Sequence, residues 1–240
     1  MKKLIVANWK LNPKDLAAAV QLLRAVTPAA RASKAAVVFC PPAAYLASLQ
    51  EKFPKLAFGA QDASYVDAGP YTGAVGPGIL KSLGARYVIA GHSERRARFN
   101  ETDAEVAKKV RAIVADGLTA ILCVGEPLAV RRKGIAASRK FVTRQVKADL
   151  KNISKKDKVI LAYEPVWAIS TSGSGRTERP ADAAAMIRFI KKLRPGRVLY
   201  GGSVDSKNAG DFLAYRDIDG LLVGGASLRP KDFSAILRNA

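Results

Sequence analysis

Short apolar runs alternate with longer amphipathic segments along all 240 residues of the chain. Eight runs are almost continuously apolar, at residues 4–7, 36–40, 56–60, 87–90, 119–124, 159–163, 197–200 and 221–223. The segments between them repeat apolar residues at three- and four-residue spacing, as at Leu16, Val20, Leu23 and Val26. The runs predict strands buried on both faces, and the spacing predicts helices with one apolar stripe against a sheet.

Eight buried strands separated by helices predict an α/β protein whose parallel sheet is covered on its outer side. Eight is the number of strands that closes a (β/α)8 barrel. A doubly wound open sheet is the alternative, but such sheets usually have a glycine-rich turn after the first strand. Here Asn8, Trp9 and Lys10 follow that strand. No linker or change of composition divides the chain, so we expect a single domain over residues 1–240.

Polar residues and glycines follow the predicted strands at the same end: Asn8, Lys10, Gln61, Asp62, His92, Glu94, Glu126, Glu164, Ser203, Gly224 and Gly225. In a barrel, the carboxyl ends of the strands form the rim that carries the active site. Each residue alone has an ordinary explanation: a lone histidine is often structural, a lysine or glutamate often makes a surface ion pair, and glycines mark turns. Their recurrence at successive strand ends favours a functional site.

The charge balance is strongly basic, with 40 Lys and Arg against 20 Asp and Glu and a formal net charge of +20. Such a surface attracts polyanions and also small phosphorylated substrates. The excess is spread along the chain, aromatic residues make up only 7% of it, and no nucleic-acid-binding module is recognisable. We therefore expect a solvated basic surface without a dedicated nucleic-acid partner.

Other features of the chain indicate its compartment and its thiol chemistry. No apolar stretch reaches the roughly 18 residues of a membrane span, and the start lacks the apolar region of a secretory signal. We therefore expect a cytoplasmic protein without a membrane partner. Cys40 and Cys123 each end an apolar run without C-x-x-C spacing, which favours buried reduced thiols over a disulfide or a metal site.

Six motifs follow one another at the predicted strand ends: Asn-Trp-Lys at 8–10, Gly-His-Ser-Glu-Arg-Arg at 91–96, Cys-Val-Gly-Glu at 123–126, Tyr-Glu-Pro-Val-Trp-Ala-Ile at 163–169, Tyr-Gly-Gly-Ser-Val at 200–204 and Leu-Val-Gly-Gly-Ala-Ser-Leu at 222–228. In this order they resemble the triosephosphate isomerase family over nearly the whole chain. The resemblance implies a single-domain (β/α)8 TIM barrel. It also implies interconversion of dihydroxyacetone phosphate and D-glyceraldehyde 3-phosphate through an enediolate, with no cofactor and no metal.

The resemblance also implies catalytic roles. Glu164 matches the base that moves a proton between C1 and C2, and His92 matches the electrophile that polarises the carbonyl. This family is the known example of a neutral imidazole in this role, and a helix N-terminus lowers the pKa of that imidazole. Lys10 matches a fixed cation near the substrate, Asn8 a residue that orients a substrate oxygen, and Glu94 the partner of Lys10.

Phosphate binding is implied for Ser170, Ser203, Gly224 and Gly225, with Tyr200 helping to anchor a closed lid after the sixth strand. The lid tip, residues 170–179, departs from the family pattern because serine replaces two usual glycines and extra residues precede Pro180. Serine allows fewer backbone conformations than glycine, so the sequence weakens the case for phosphate binding by this tip. We still expect closure through a backbone N–H near Ser170.

Residues 61–78 form a long predicted loop that resembles the family's interdigitating dimer loop. Thr72 matches the residue that reaches toward the neighbouring subunit, and Ala74 stands where the family often has glutamate. A homodimer is therefore expected. Three classes of function remain open: an active isomerase, a barrel of this family with lost or changed activity, and a basic protein that mainly binds polyanions. The intact Lys10, His92 and Glu164 favour the first.

Overall fold

The structure is a computed structural model that describes residues 2–154, 156–169 and 177–240. Eight parallel strands pair in chain order, and the last pairs with the first to close a barrel. The (β/α)8 prediction is confirmed and the open-sheet alternative is wrong. The strands are β1 Leu4–Asn8, β2 Ala36–Cys40, β3 Ala57–Ala60, β4 Ala85–Ala90, β5 Thr119–Val124, β6 Val159–Tyr163, β7 Val198–Tyr200 and β8 Gly220–Val223.

Helices surround this barrel, as the periodicity predicts. In the described ranges the α-helices are α1 Leu16–Ala32, α2 Ala43–Lys52, α3 Pro77–Ser82, α4 Ser93–Arg98, α5 Asp103–Ala115, α6 Leu128–Arg131, α7 Ile135–Asp149, α8 Pro180–Leu193, α9 Ala209–Leu213 and α10 Pro230–Arg238. Short 3₁₀ helices lie at Val166–Ala168 and Gly225–Leu228. No helix in these ranges is long and apolar enough to cross a membrane.

Alternate residues of the strands face two different cores. The inner core fills the barrel with Leu4, Val6, Val38, Cys40, Ile89, Ile121, Cys123, Ile160, Ala162, Leu199 and Leu222. The outer core packs the intervening residues, such as Ile5 and Ala7 of β1, against the helices. Side chains alternate along a strand, so a residue two positions after an inward-facing residue also faces inward. The residues two positions after Val6, Ala162 and Leu222 are Asn8, Glu164 and Gly224. The strand pattern thus directs these residues toward the carboxyl end of the barrel interior.

Cys40 and Cys123 belong to this inner core and are both buried free thiols, as the sequence predicts. Burial in apolar surroundings raises the pKa of both thiols above the ordinary value. Cys123 also forms a hydrogen bond with Glu164, which links the packed interior to the rim.

Candidate active site

A cavity of about 230 Å³ opens at the carboxyl ends of the strands. Seven of the residues singled out in the sequence line it: Asn8, Lys10, His92, Glu164, Ser203, Gly224 and Gly225. They come from the segments after β1, β4, β6, β7 and β8, so elements far apart in sequence meet in one site. This convergence is what the carboxyl ends of barrel strands provide.

His92 and Glu164 are in direct contact inside the cavity. His92 Nε2 lies 3.1 Å from Glu164 Oε1, and both side chains are almost fully buried. The other carboxylate oxygen, Oε2, accepts a hydrogen bond of 3.2 Å from the backbone N–H of Ser93. His92 caps α4, and its Nδ1 accepts the backbone N–H of Glu94 at 3.2 Å. A neutral ring in this setting carries its proton on Nε2, facing Glu164.

The contact between the two side chains controls their acidity. Burial alone lowers the pKa of His92, but the adjacent Glu164 carboxylate outweighs burial and the pKa is raised above its ordinary value. Burial alone would raise the pKa of Glu164. The charge of His92 and the hydrogen bonds from His92, Ser93 and Cys123 outweigh it, so this pKa is lowered. The structure does not show the lowered pKa expected for His92, because the Glu164 carboxylate lies against the ring.

Lys10 projects its ammonium group toward the same cavity. Its Nζ lies 2.6 Å from Glu94 Oε1, the partner that the sequence assigns to it. The backbone of Lys10 has a φ of 55°, in the left-handed region that side chains disfavour. Asn8 Oδ1 accepts its N–H at 3.0 Å and Gln61 Nε2 donates to its carbonyl at 2.8 Å. These contacts hold the strained segment after β1, and strain of this kind often marks a functional site.

Two glycines make room for Glu164, one beside its backbone and one beside its side chain. A β-carbon at Gly125 would lie 1.7 Å from the carbonyl oxygen of Glu164, and one at Gly201 would lie 2.8 Å from its Cγ. A third glycine, Gly224, adjoins Lys10, since a β-carbon there would lie 3.2 Å from Cε. A β-carbon at Gly225 would meet nothing within 4 Å. Glycine at these positions therefore sets how closely backbone approaches the cavity.

Beneath the segment after β6 lies a buried polar group whose members come from three segments. Glu126 accepts hydrogen bonds from the hydroxyl of Tyr163 at 3.3 Å and from Nε1 of Trp167 at 3.0 Å. The Arg131 guanidinium lies over the Trp167 ring, 5.0 Å from its centroid, and 3.3 Å from the Glu178 carboxylate. Glu126 was singled out from the sequence but belongs to this support and does not line the cavity.

Glu178 was not found by sequence reasoning, although it is only 5% exposed. Burial raises its pKa to about 7 despite the nearby Arg131 charge. No local pattern marked it, because it follows the polar residues 170–176 and precedes α8. Its burial depends on contacts with Tyr163 and Arg131, which lie far away in sequence.

The remaining sequence-predicted residues lie around this centre. Tyr200 is buried and stacks on Phe212 with ring centroids 4.1 Å apart, and a β-carbon at Gly202 would lie 2.2 Å from its hydroxyl. Tyr200 thus lies under the turn that carries Ser203. Thr72 is exposed in the long loop and does not line the cavity. Ser170 and the other residues of the predicted lid tip up to 176 lie outside the described residues, so the structure describes only 177–179 of that tip.

Comparison with known proteins agrees with this geometry over the whole chain. A family profile described as triosephosphate isomerase matches residues 3–240. The chain belongs to the triosephosphate isomerase family. Relatives named triosephosphate isomerase include those of Thiobacillus denitrificans, 43% identical over 100% of this chain and 98% of the relative, and Thermus thermophilus, 42% identical over 100% of both.

A solved structure and a further relative give the same result. The crystal structure of triosephosphate isomerase from Bartonella henselae superposes with a TM-score of 0.86 and 34% sequence identity, and it covers 98% of both chains. The relative from Clostridium botulinum, strain Loch Maree, is 40% identical over 98% of each sequence. The family resemblance deduced from the six motifs is therefore confirmed, and so is the barrel.

Proposed function

We propose that the chain interconverts dihydroxyacetone phosphate and D-glyceraldehyde 3-phosphate by proton transfer through an enediolate. Family membership supports the reaction class. One observation of the structure carries the mechanism: a carboxylate, an imidazole and an ammonium group converge on one cavity from three strand ends, as Glu164, His92 and Lys10. These are the base, electrophile and cation that an aldose–ketose isomerisation requires.

Substrate entering between His92 and Glu164 ends their 3.1 Å contact. The main cause that lowers the pKa of Glu164 is then lost, and burial makes the carboxylate a stronger base. The main cause that raises the pKa of His92 is lost with it, and burial together with the Glu94 N–H favours the neutral ring. Substrate binding therefore prepares both groups for their roles.

With dihydroxyacetone phosphate bound, Glu164 removes a proton from C1 and the electrons move onto the carbonyl oxygen at C2. The Nε2–H of His92 donates to the substrate oxygens, and the ammonium of Lys10 stabilises the negative charge that develops. His92 moves a proton between the two substrate oxygens: its Nε2–H protonates the oxygen at C2, and the ring then takes the hydroxyl proton from the oxygen at C1. Glu164 returns its proton to C2, and the oxygen at C1 becomes the carbonyl of the aldose. A preorganised donor and cation in a water-poor site are worth several kcal/mol to such a step.

The phosphate group fits the loops after β7 and β8. Ser203 and Gly225 lie in these loops, where barrels often bind phosphate through backbone N–H groups. Gly224 lets the backbone pass close to Lys10. We include the backbone N–H of Ser170 on the basis of the sequence alone, with Tyr200 as the anchor of the closed lid.

A coupled assay tests this function directly. Purified protein is supplied with D-glyceraldehyde 3-phosphate at moderate salt, and dihydroxyacetone phosphate is measured by its NADH-dependent reduction. Repeating the reaction in D₂O should place deuterium on the carbon that receives the proton. Turnover no faster than in buffer would contradict the proposal and favour a family member with lost or changed activity.

We also propose that the chain forms a homodimer through a groove beside the active site. The groove has a volume of about 890 Å³ and is bordered by the 61–78 loop and by exposed apolar residues. Leu11 is 92% exposed and Phe99 is 67% exposed, which is costly in water unless a partner covers them. Lys10 and His92 also line this groove, so a second copy would lie against the back of the catalytic residues.

The remaining expectations from the sequence stay predictions. We propose that residues 1–240 form one domain, that the protein works in the cytoplasm, and that its partners are the phosphorylated triose and a second copy of the chain. The basic surface is assigned to solvation and long-range attraction of phosphate, without a dedicated nucleic-acid or membrane partner.

A further inference from the structure

Behind His92 and Glu164 lies a buried ion cluster centred on Arg96 of α4. One guanidinium nitrogen lies 2.6 Å from Oδ2 of Asp149, the last residue of α7, and another lies 2.5 Å from Oδ1 of Asp103 at the start of α5. Asp149 is 0% exposed, whereas the Asp103 side chain is 36% exposed. Among the described residues nothing donates a hydrogen bond to Oδ1 of Asp149. One cation is therefore held between a fully buried carboxylate and a solvated one.

The same guanidinium holds the backbone next to the site. Arg96 Nε donates to the carbonyl of Gly91 at 2.7 Å, and a terminal nitrogen donates to the carbonyl of Cys123 at 3.4 Å. Gly91 directly precedes His92 in the chain, and the thiol of Cys123 donates a hydrogen bond to Glu164. Arg96 thus links the end of β4, which carries the imidazole, to the end of β5, which supports the carboxylate.

The fit between Arg96 and β4 is close. Gly91 has a φ of 65°, and a β-carbon there would lie 2.6 Å from a guanidinium nitrogen. A small shift of Arg96 therefore changes the peptide that positions His92. Misplacement of reacting groups by about 1 Å can cost up to about 100-fold in rate, so the anchor of this arginine bears on turnover.

We propose that Asp149 is a positioning residue of the active site, which acts through Arg96 to hold His92 and Glu164 in their catalytic geometry. This inference rests on the proposed isomerase function. Asp149 touches neither the cavity nor the substrate. Its ionised carboxylate draws the guanidinium inward, toward Gly91 and Cys123, against the pull of the solvated Asp103.

The cluster makes this positioning depend on pH. The titratable and charged groups that face Asp149 are Arg96 from α4 and Asp103 from α5. Burial raises the pKa of Asp149 to about 7, because the attraction of Arg96 does not offset the lost hydration and Asp103 adds repulsion. Below that pH Asp149 is protonated, and of the two carboxylates only Asp103 still forms an ion pair with Arg96. The inward anchor therefore strengthens as pH rises through about 7.

The kinetic test compares wild type with Asp149→Asn, which keeps the shape and removes the charge. We expect kcat of the variant to fall roughly 10-fold at pH 8 with KM within about twofold, because the substrate contacts remain. The difference should shrink below pH 6, and the step in kcat near pH 7 should be present only in wild type. Asp217→Asn is the matched control, since it breaks the Arg188–Asp217 pair elsewhere on the surface and should leave kcat unchanged.

A second measurement, of the His92 ring signals by NMR, does not depend on catalytic activity. His92 is the only histidine in the chain, so ¹⁵N-histidine labelling gives one set of ring signals that belongs to it. In wild type at pH 8 we expect a neutral ring with the proton on Nε2 and a hydrogen-bonded Nδ1. In Asp149→Asn the signals should shift toward averaging of the two tautomers, because the Gly91 peptide is held less firmly.

The outcomes separate this inference from the proposed function. Absence of activity in wild type contradicts the function, and the ring signals still test the positioning. An active wild type with the same kcat, pH profile and ring signals in Asp149→Asn overturns the positioning role, even if the melting temperature changes. Should Asp149→Asn fail to fold, the smaller Asp149→Ser repeats the test. If both fail to fold, Asp149 serves the fold alone and the inference is wrong.

Discussion

At the scale of single residues, His92 and Glu164 are each other's strongest charged neighbour. Their contact raises the pKa of His92 and lowers the pKa of Glu164. A ligand that separates them reverses both effects, because burial acts in the opposite direction on each. We therefore expect the acidity of both side chains to change when the proposed substrate enters the cavity.

Glu164→Asp and His92→Gln should each lower kcat at least about 100-fold and leave the fold intact. The shorter carboxylate moves the base away from the substrate carbon, and the amide is a weaker electrophile than the imidazole. Steady-state kinetics measures the loss, and circular dichroism reports the fold. Glu51→Asp, on the exposed face of α2, is the control and should retain full activity. Turnover near that of wild type in either variant would remove that residue from its role.

At the scale of elements, the segment after β6 is held from below by side chains of three segments. Glu126 bonds Tyr163 and Trp167, Arg131 covers the Trp167 ring, and Glu178 pairs with Arg131 just before α8. Burial disfavours the ionised form of Glu178 and raises its pKa to about 7. An acid whose pKa is raised on folding stabilises the fold while protonated, and this stabilisation is lost as pH rises toward the folded pKa.

Glu178→Gln should remove a pH dependence of stability. Between about pH 4.5 and 7 the unfolded chain releases this proton and the folded chain keeps it, so wild type loses stability as pH rises, by on the order of 3 kcal/mol from this group. The variant should show a flatter curve of melting temperature against pH. Chemical denaturation at several pH values measures the difference. Glu51→Gln, which is exposed, should leave the curve unchanged, and equal curves for Glu178→Gln would contradict the buried titration.

The sequence predicted the barrel because eight apolar runs alternate with helical segments, and it predicted most of the site because polar residues follow those runs. Asn8 and Glu164 continue the inward positions of β1 and β6, so they could be placed from sequence once the strands were known. Asp149 could not be placed with confidence, since a charged residue at a helix end usually faces water. One signal was present: Asp149 continues the helical spacing of buried Val142 and Val146 on α7. Its partner Arg96 lies 53 residues away, which local patterns do not reveal.

At the scale of the whole molecule, the active site and the groove share residues. Lys10 and His92 line the cavity on one side and the groove on the other. A second copy that covers Leu11 and Phe99 would therefore also restrict the backbone that positions both groups. In the proposed dimer we therefore expect assembly and activity to be coupled, since the segment after β1 has a positive φ at Lys10 and would be held by the second copy.

Light scattering at micromolar concentration should report twice the 25.6-kDa mass of the chain. Thr72→Arg places a bulky charge in the exposed part of the loop and should shift the protein toward monomer, with kcat lowered in proportion. Gln21→Arg adds the same charge on the exposed face of α1, which does not line the groove, and should leave mass and kcat unchanged. A fully active monomer of the wild type would show that the loop resemblance is misleading.

The net charge of +20 belongs to the molecule as a whole and to no single site. One exposed part of it is the stripe of Lys140, Arg144 and Lys147 on α7, where an acidic polymer would meet several cations but no aromatic platform facing bases. Binding to duplex DNA should therefore be independent of sequence, with a Kd of about 10⁻⁶ to 10⁻⁴ M near 0.15 M salt, and should weaken steeply as salt rises. Fluorescence anisotropy across a salt series measures this, and replacing the three cations by glutamate should weaken binding and reduce the salt slope. Sequence-selective binding tighter than about 10⁻⁸ M at that salt would instead require a nucleic-acid site that the barrel does not otherwise suggest.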